Sequence, residues 1–431
     1  MKTVKDLNID IHKITRVEGH GNIVVDAHNG KIETIRWEVP ESPRFFEAMV
    51  VSRPYDDAAC ITSRICGICS IGHTMASLRA TEDAFGIKPS NQTIELRKLI
   101  LNSETLQSHV LHYYFLAAPD FLGVGSVFPL AKTHKDVVLR ALRLKKLAND
   151  IGDIVGGRAV HPIRLVVNGF TKLPTMGELK SLRKQLDEGL KDLKLTVDLF
   201  KTLTIPAFER ETEYVALKSN AEYAFYDGKI ASTDGGLTPP AKYQSITNEY
   251  CVPHSTAKYA RHLRKSYMVG ALARFNINSK QLLPLAKKAA NDLGLKAPCY
   301  NPYMNTVAQV VETVHVVEDS INIIDRLLRK GLKAEKPKVK PRAGRGVGAV
   351  EVPRGILFHD YTYDKTGKIV SANCVIPTNQ NHANIQLDME KLVPEIIDRS
   401  QDEISHRLEM LVRAYDPCIS CSTHCLNVRF V

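Results

Sequence analysis

The sequence predicts a mainly α-helical α+β protein: a large helical-bundle core, a small antiparallel sheet near the N-terminus and a β patch toward the C-terminus. Three observations lead there. Five long stretches keep apolar residues at helical spacing, two shorter ones alternate β-branched and polar residues, and Gly- and Pro-rich segments punctuate them. A Cys-x-x-Cys pair lies near each end, and a site shared by both would bring the chain ends into one core.

Residues 9–38 alternate as an antiparallel sheet does, with His28-Asn29-Gly30 as a turn. Helical periodicity covers roughly 67–86, 90–117, 130–156, 176–201 and 303–331. In the last of these Val307, Val310, Val311, Val314, Val317, Ile321, Ile324 and Leu327 form a face wide enough for a packed core helix. Residues 227–240 read as loops, and Lys333 to Arg345 as a basic, Pro-punctuated solvated connector. A β-rich patch follows at 355–376, turning at Lys365-Thr366-Gly367-Lys368, and a final helix at about 388–413 delivers the second cysteine pair. The expectation is one large domain over 1–431.

The chain has 431 residues, 44% hydrophobic and 24% charged, an ordinary balance for a globular protein. Met1 to Asn8 are polar, without an apolar signal core, and no apolar run approaches the length of a transmembrane helix. No membrane insertion and a cytoplasmic location are the expectations. Nine cysteines, an odd number, argue against a pure disulfide framework. The net charge of +11 suits solubility or an acidic protein partner. No nucleic-acid-binding motif accompanies it.

The first pair reads Arg64-Ile65-Cys66-Gly67-Ile68-Cys69-Ser70-Ile71-Gly72-His73, and the second Asp416-Pro417-Cys418-Ile419-Ser420-Cys421-Ser422-Thr423-His424. Together they supply four thiolates, enough for a soft-metal site. Structural zinc is one reading, although its pairs usually lie within a few tens of residues of each other. A thioredoxin-like thiol pair is another, but it accounts for one motif and not both.

These motifs resemble those of the large subunit of nickel–iron hydrogenases. Arg16-Val17-Glu18-Gly19-His20, Arg44-Phe45-Phe46-Glu47, the segment His109 to Asp120, Pro353-Arg354-Gly355 and Pro377-Thr378 match further family motifs in order, so the resemblance spans nearly the whole chain. The length is closer to the soluble, cofactor-coupled group, sulfhydrogenase-like and NAD-coupled, than to the membrane-associated enzymes.

The resemblance implies specific roles. Cys66, Cys69, Cys418 and Cys421 would hold nickel, with Cys69 and Cys421 bridging to an iron that carries carbon monoxide and two cyanides. Arg354 would be the cation above the site, with Asp120 and Asp416 completing a polar canopy. Pro353 and Thr378 would line the iron ligands, Thr378 as a hydroxyl donor to cyanide, and His73 would approach Cys69. Cys418 would take the first proton and Glu18 would carry it on, since a carboxylate there can both accept and release protons. Glu47, His424 and the carbonyl of Cys374 would hold a hard ion, magnesium or similar.

The implied reaction is reversible cleavage of H2. The remaining cysteines, Cys60, Cys251, Cys299, Cys374 and Cys425, lack iron–sulfur spacing, and Gly344 to Gly348 sits in a connector, not in a dinucleotide-binding turn. No flavin or iron–sulfur cluster is therefore expected in this chain. An iron–sulfur small subunit would take the electrons, and flavin-, NAD(P)- or ferredoxin-linked subunits would follow. A hydrogen sensor with low turnover would carry the same motifs. Residues 425–431 correspond to a peptide that the family usually removes during maturation.

Overall fold

The computed structural model describes residues 6–29 and 31–423. The turn glycine Gly30, His424 and the tail 425–431 lie outside the described residues.

The N-terminal sheet pairs strands Leu7–Ile11, Asn22–His28 and Lys31–Glu38 in sequence order, all antiparallel. Its alternation buries Ile23, Val25 and Ala27 on one face. Trp37 docks the sheet onto a C-terminal helix: its indole N–H donates to His382 Nδ1 at 2.8 Å, and its backbone N–H to Gln386 Oε1 at 2.8 Å.

Helices Ser70–Phe85, Asn91–Val110, Lys135–Gly156, Met176–Phe200 and Met304–Lys330 occupy the predicted stretches. Local chemistry sets their ends. Ser90 accepts from Thr93 N–H, Thr175 and Glu178 form a capping box, and Gly86 at φ +67° closes the first of these helices. The 90–117 stretch continues from Val110 as a π-helical turn, Leu111–Ala117.

Several expectations are corrected. The final helix is two, Pro377–Ile396 and Gln401–Ala414, separated where Ser400 caps the second by accepting from Glu403 N–H. The 130–156 stretch breaks at His134 between Val127–Thr133 and Lys135–Gly156. Residues 227–240 are not all loop. Lys229–Ser232 and Gly236–Thr238 join Glu213–Lys218 and Tyr267–Met268 in a four-stranded sheet. Glu213–Lys218 is buried on both faces over its first five residues, so it lacks the alternation that marks a half-buried strand.

The β patch begins earlier than 355, with Gly344–Val352 pairing Gly355–Tyr363, which in turn pairs Ile369–Val375. Its first strand lies against helix Ser70–Phe85 along a seam without side chains. A Cβ on Gly348 would sit 2.0 Å from the Ala76 carbonyl oxygen, and one on Gly346 2.2 Å from that of Ala80. Glycine at alternate strand positions thus meets alanine at every fourth helix position, and backbone packs on backbone. The preceding basic segment is pinned, not free. Gln92 exchanges two 2.8 Å hydrogen bonds with the Lys333 backbone, and Glu335 accepts from Ser90 Oγ at 2.7 Å. Lys336, Lys338 and Lys340 remain exposed.

Candidate metal centre

Cys66 follows a 3-10 turn, Ser63–Ile65, and Cys69 caps the N-terminus of helix Ser70–Phe85. The intervening loop wraps the first sulfur: Ile68 and Cys69 N–H donate to Cys66 Sγ at 3.2 and 3.1 Å. Backbone donors aimed at sulfur favour the thiolate. The second pair leaves helix Gln401–Ala414 through Asp416 at φ +49°, and its backbone bridges Glu18 to Cys418.

The two ends do meet. The sulfurs of Cys66, Cys418 and Cys421 lie within 4.8 Å of one another, all buried, with Cys66 and Cys418 at 3.4 Å. Cys418 and Cys421 hold their sulfurs in direct contact, and as a dithiolate this pair can donate to metal. Cys69 is the fourth thiol. Its contact with Cys66 lowers the Cys66 pKa to about 7, while that contact and burial push Cys69 upward. The pair thus favours one thiolate held by one thiol.

Arg354, 3% exposed, spans the cluster. Its Nε–H donates to the Asp416 carbonyl at 2.6 Å, one Nη2 hydrogen to Asp416 Oδ1 at 2.9 Å, and one Nη1 hydrogen to Cys69 Sγ at 3.3 Å. Burial opposes the charge, but Asp416 and the two thiols more than offset it, and the guanidinium pKa is raised. Gln309 Nε2 donates to the other Asp416 oxygen at 3.1 Å. Thr378 Oγ1 accepts from Cys418 N–H at 3.0 Å, which fixes the hydroxyl oxygen and leaves its hydrogen for another acceptor. Pro353 directly precedes Arg354 and is buried with it.

On the opposite flank, the Glu18 carbonyl accepts from Ile419 N–H at 2.9 Å and its carboxylate from Ser420 N–H at 3.1 Å. Glu18 is half-buried. Glu47 lies beside Cys374, whose peptide N–H donates to Glu47 Oε1 at 2.7 Å. His73 Nδ1 lies 3.1 Å from His359 Nε2, and the His73 amide donates to the Cys69 carbonyl at 3.0 Å.

Asp120 is held by two other arginines. It pairs closely with Arg16 and accepts from Arg413 at 3.3 and 3.4 Å. Two buried or half-buried guanidiniums need that carboxylate, and Arg354 already has Asp416.

Two supporting residues have no role assigned from the sequence. Glu104 accepts from Ile71 N–H at 2.7 Å and Gly72 N–H at 3.0 Å, satisfying the start of the helix that carries Cys69. Burial raises its pKa to about 8. A charged residue inside the apolar pattern of 90–117 was the available signal. Arg44 donates to the Ile65 carbonyl at 2.9 Å and more closely to that of Ser420, stapling the two cysteine motifs together.

The family model for nickel-dependent hydrogenase matches residues 44–137 and 197–424. Sulfhydrogenase 1 subunit alpha of Pyrococcus furiosus is 33% identical over 98% of this chain and 99% of its own length. Sulfhydrogenase 2 subunit alpha of the same organism is 31% identical over 96% and 98%. Among solved structures, an NAD+-reducing [NiFe]-hydrogenase in its H2-reduced state superposes with a TM-score of 0.88 at 24% identity, covering 97% of this chain and all of the other. That last likeness concerns the fold.

Proposed function

Because the chain belongs to the nickel-dependent hydrogenases, as their catalytic large subunit, we propose that it cleaves H2 reversibly and heterolytically and passes the electrons to an iron–sulfur partner subunit. From there they would continue to NAD(P) or ferredoxin. The observation that carries this reading is the arginine beside the thiols. Arg354 has five N–H donors, three of which meet protein acceptors among the described residues. Buried donors need acceptors, and a zinc staple of four thiolates supplies no further anion. A nickel–iron pair with cyanides on iron does, so the donor set fits that group.

Cys66, Cys69, Cys418 and Cys421 would hold the metals, and magnesium or a similar ion would take Glu47, the Cys374 carbonyl and His424. The bound pair supplies the site that polarises H2 and accepts its electrons. The protein does the rest. Arg354, held by Asp416, stabilises charge at a fixed place without reorganising. Pro353 and Thr378 would line the iron ligands. Cys418 receives the proton, and Glu18, tied to the adjoining Ile419 and Ser420 amides, carries it outward. The half-exposed position of Glu18 supports that direction.

Among the described residues, Cys60 and Cys251 are exposed, Cys299 is half-buried and Cys374 is buried in a strand. Their dispersal supports an external electron carrier, as does the naming of the relatives as alpha subunits. Among the described residues no helix is long and apolar enough to cross a membrane. We place the protein in the cytoplasm, acting as one domain over 1–431. Nickel and iron near one to one, infrared bands of carbon monoxide and cyanide, and H2-dependent dye reduction are the expected results on purified protein. Zinc in their place, with no such bands, would sink the reading. The bands without turnover would favour a hydrogen sensor.

A further inference from the structure

Arg274 lies in helix Ala271–Asn278 and is wholly buried. All five of its N–H donors are used. Nε and one Nη2 hydrogen grip Glu312 at 2.7 and 2.6 Å, and one Nη1 hydrogen meets Glu351 at 2.9 Å. The remaining two donate to the carbonyls of Val352 and Pro353, each at 2.9 Å. Those are the two peptides immediately before Arg354. The guanidinium face rests on Phe225, 5.2 Å from the ring centroid.

The anchor is itself anchored. Glu312 also accepts from Tyr223 OH and pairs with His109 Nε2, both at 2.7 Å, and Glu351 accepts from Leu217 N–H at 2.7 Å. Burial opposes ionisation of Glu312, but Arg274 and His109 overcome it and hold its pKa to about 2. A carboxylate so firmly charged is a poor proton carrier near neutral pH and a good fixed post. The helix that carries Arg274 also starts against the active arginine: a Cβ on Gly270 would lie 3.3 Å from the Arg354 carbonyl oxygen.

We propose that Arg274 is a positioning residue for H2 cleavage, a saturated clamp on the Val352 and Pro353 carbonyls that sets where the Arg354 guanidinium sits. This rests on the reading of Arg354 as the charge-stabilising group. Lysine cannot replace the clamp, because one ammonium cannot reach two carboxylates and two carbonyls in a plane.

The test compares holoenzymes loaded with nickel and iron. Arg274→Lys should lower kcat about tenfold per nickel with the KM for H2 unchanged, as loss of an interaction made only in the transition state requires. Adding Arg354→Lys should cost no more than Arg354→Lys alone, because both changes act through one guanidinium. Glu351→Gln keeps an acceptor for Leu217 N–H, removes one charge on the clamp, and should lower kcat several-fold with the same non-additivity. It decides the matter if Arg274→Lys does not assemble. Wild-type kcat in the variants, or losses that multiply with Arg354→Lys, would overturn the clamp. An inactive wild-type holoenzyme would instead overturn the functional reading on which it rests.

Discussion

Arg354 and Glu18 flank the same cysteines, one fixed on several sides and the other held mainly through backbone. Arg354 stands at the end of a strand that packs backbone-to-backbone on a helix, and its head group is tied to Asp416 by two hydrogen bonds. Glu18 comes from irregular chain after the first strand, and its carboxylate accepts from one peptide N–H, that of Ser420. The difference follows from what each must do. A charge that stabilises a developing anion gains from being immobile, since no reorganisation is then needed. A proton carrier must change partners, so a tight cage of fixed charges would defeat it.

Breaking the rigid side at its foundation should have the largest effect. Gly348→Ala places a methyl against the Ala76 carbonyl with no side chain able to yield. The expected cost is about 3 kcal/mol or more, read as lost thermal stability and lost nickel. A variant with wild-type melting behaviour would show the seam to be softer than its geometry. Arg354→Lys comes next. It keeps charge but loses the forked contact with Asp416, and turnover should fall about 100- to 1,000-fold with metal content retained.

On the mobile side the effect should be smaller. Glu18→Gln should slow turnover about 10- to 100-fold, toward the lower end for general acid–base groups, because water reaches a half-exposed position. Unchanged turnover per nickel would remove Glu18 from the proton path.

The smallest effect concerns pH and sharpens the rigid side. The pKa of Glu104 is raised from 4.5 to about 8. A carboxyl raised on folding contributes stability below its unfolded value and loses it as pH rises through the folded one. The melting temperature of the wild type should therefore drop between about pH 4.5 and 8, and Glu104→Gln should reduce that drop by about 2–3 °C. Equal slopes for the two proteins would mean that another group governs alkaline stability.

Much of this fold and site is legible in the sequence. The five long helices carry their periodicity and caps in local sequence, and the four cysteines with Arg354 and Glu18 announce themselves by motif. What escaped did so for physical reasons. Gly344, Gly346 and Gly348 look like connector residues because a strand that presents glycine to a helix has no alternating hydrophobic face to read. The break at Ser400 was signalled by Glu403, but continuous apolar spacing on either side masked it. Arg274 and Glu104 are polar residues in apolar patterns, which reveals burial and not the partner. Glu312 and Glu351 lie 38 and 77 residues from Arg274. A motif locates Asp120 in sequence, whereas Arg16 and Arg413, which hold its carboxylate, lie far off along the chain.

The glycine–alanine seam has one more consequence. Helix Ser70–Phe85 begins directly after Cys69, and strand Gly344–Val352 ends two residues before Arg354. Main chain rests on main chain over Gly344 to Gly348, and Val352 closes over Gly72 beside the cysteines, so the seam acts as a gauge block for the gap from first thiol pair to guanidinium. A lineage that needed a wider or narrower gap could gain little by exchanging side chains over 344–348. It would have to remodel the tight turn at 353–355, where Gly355 takes φ +134° against Val269.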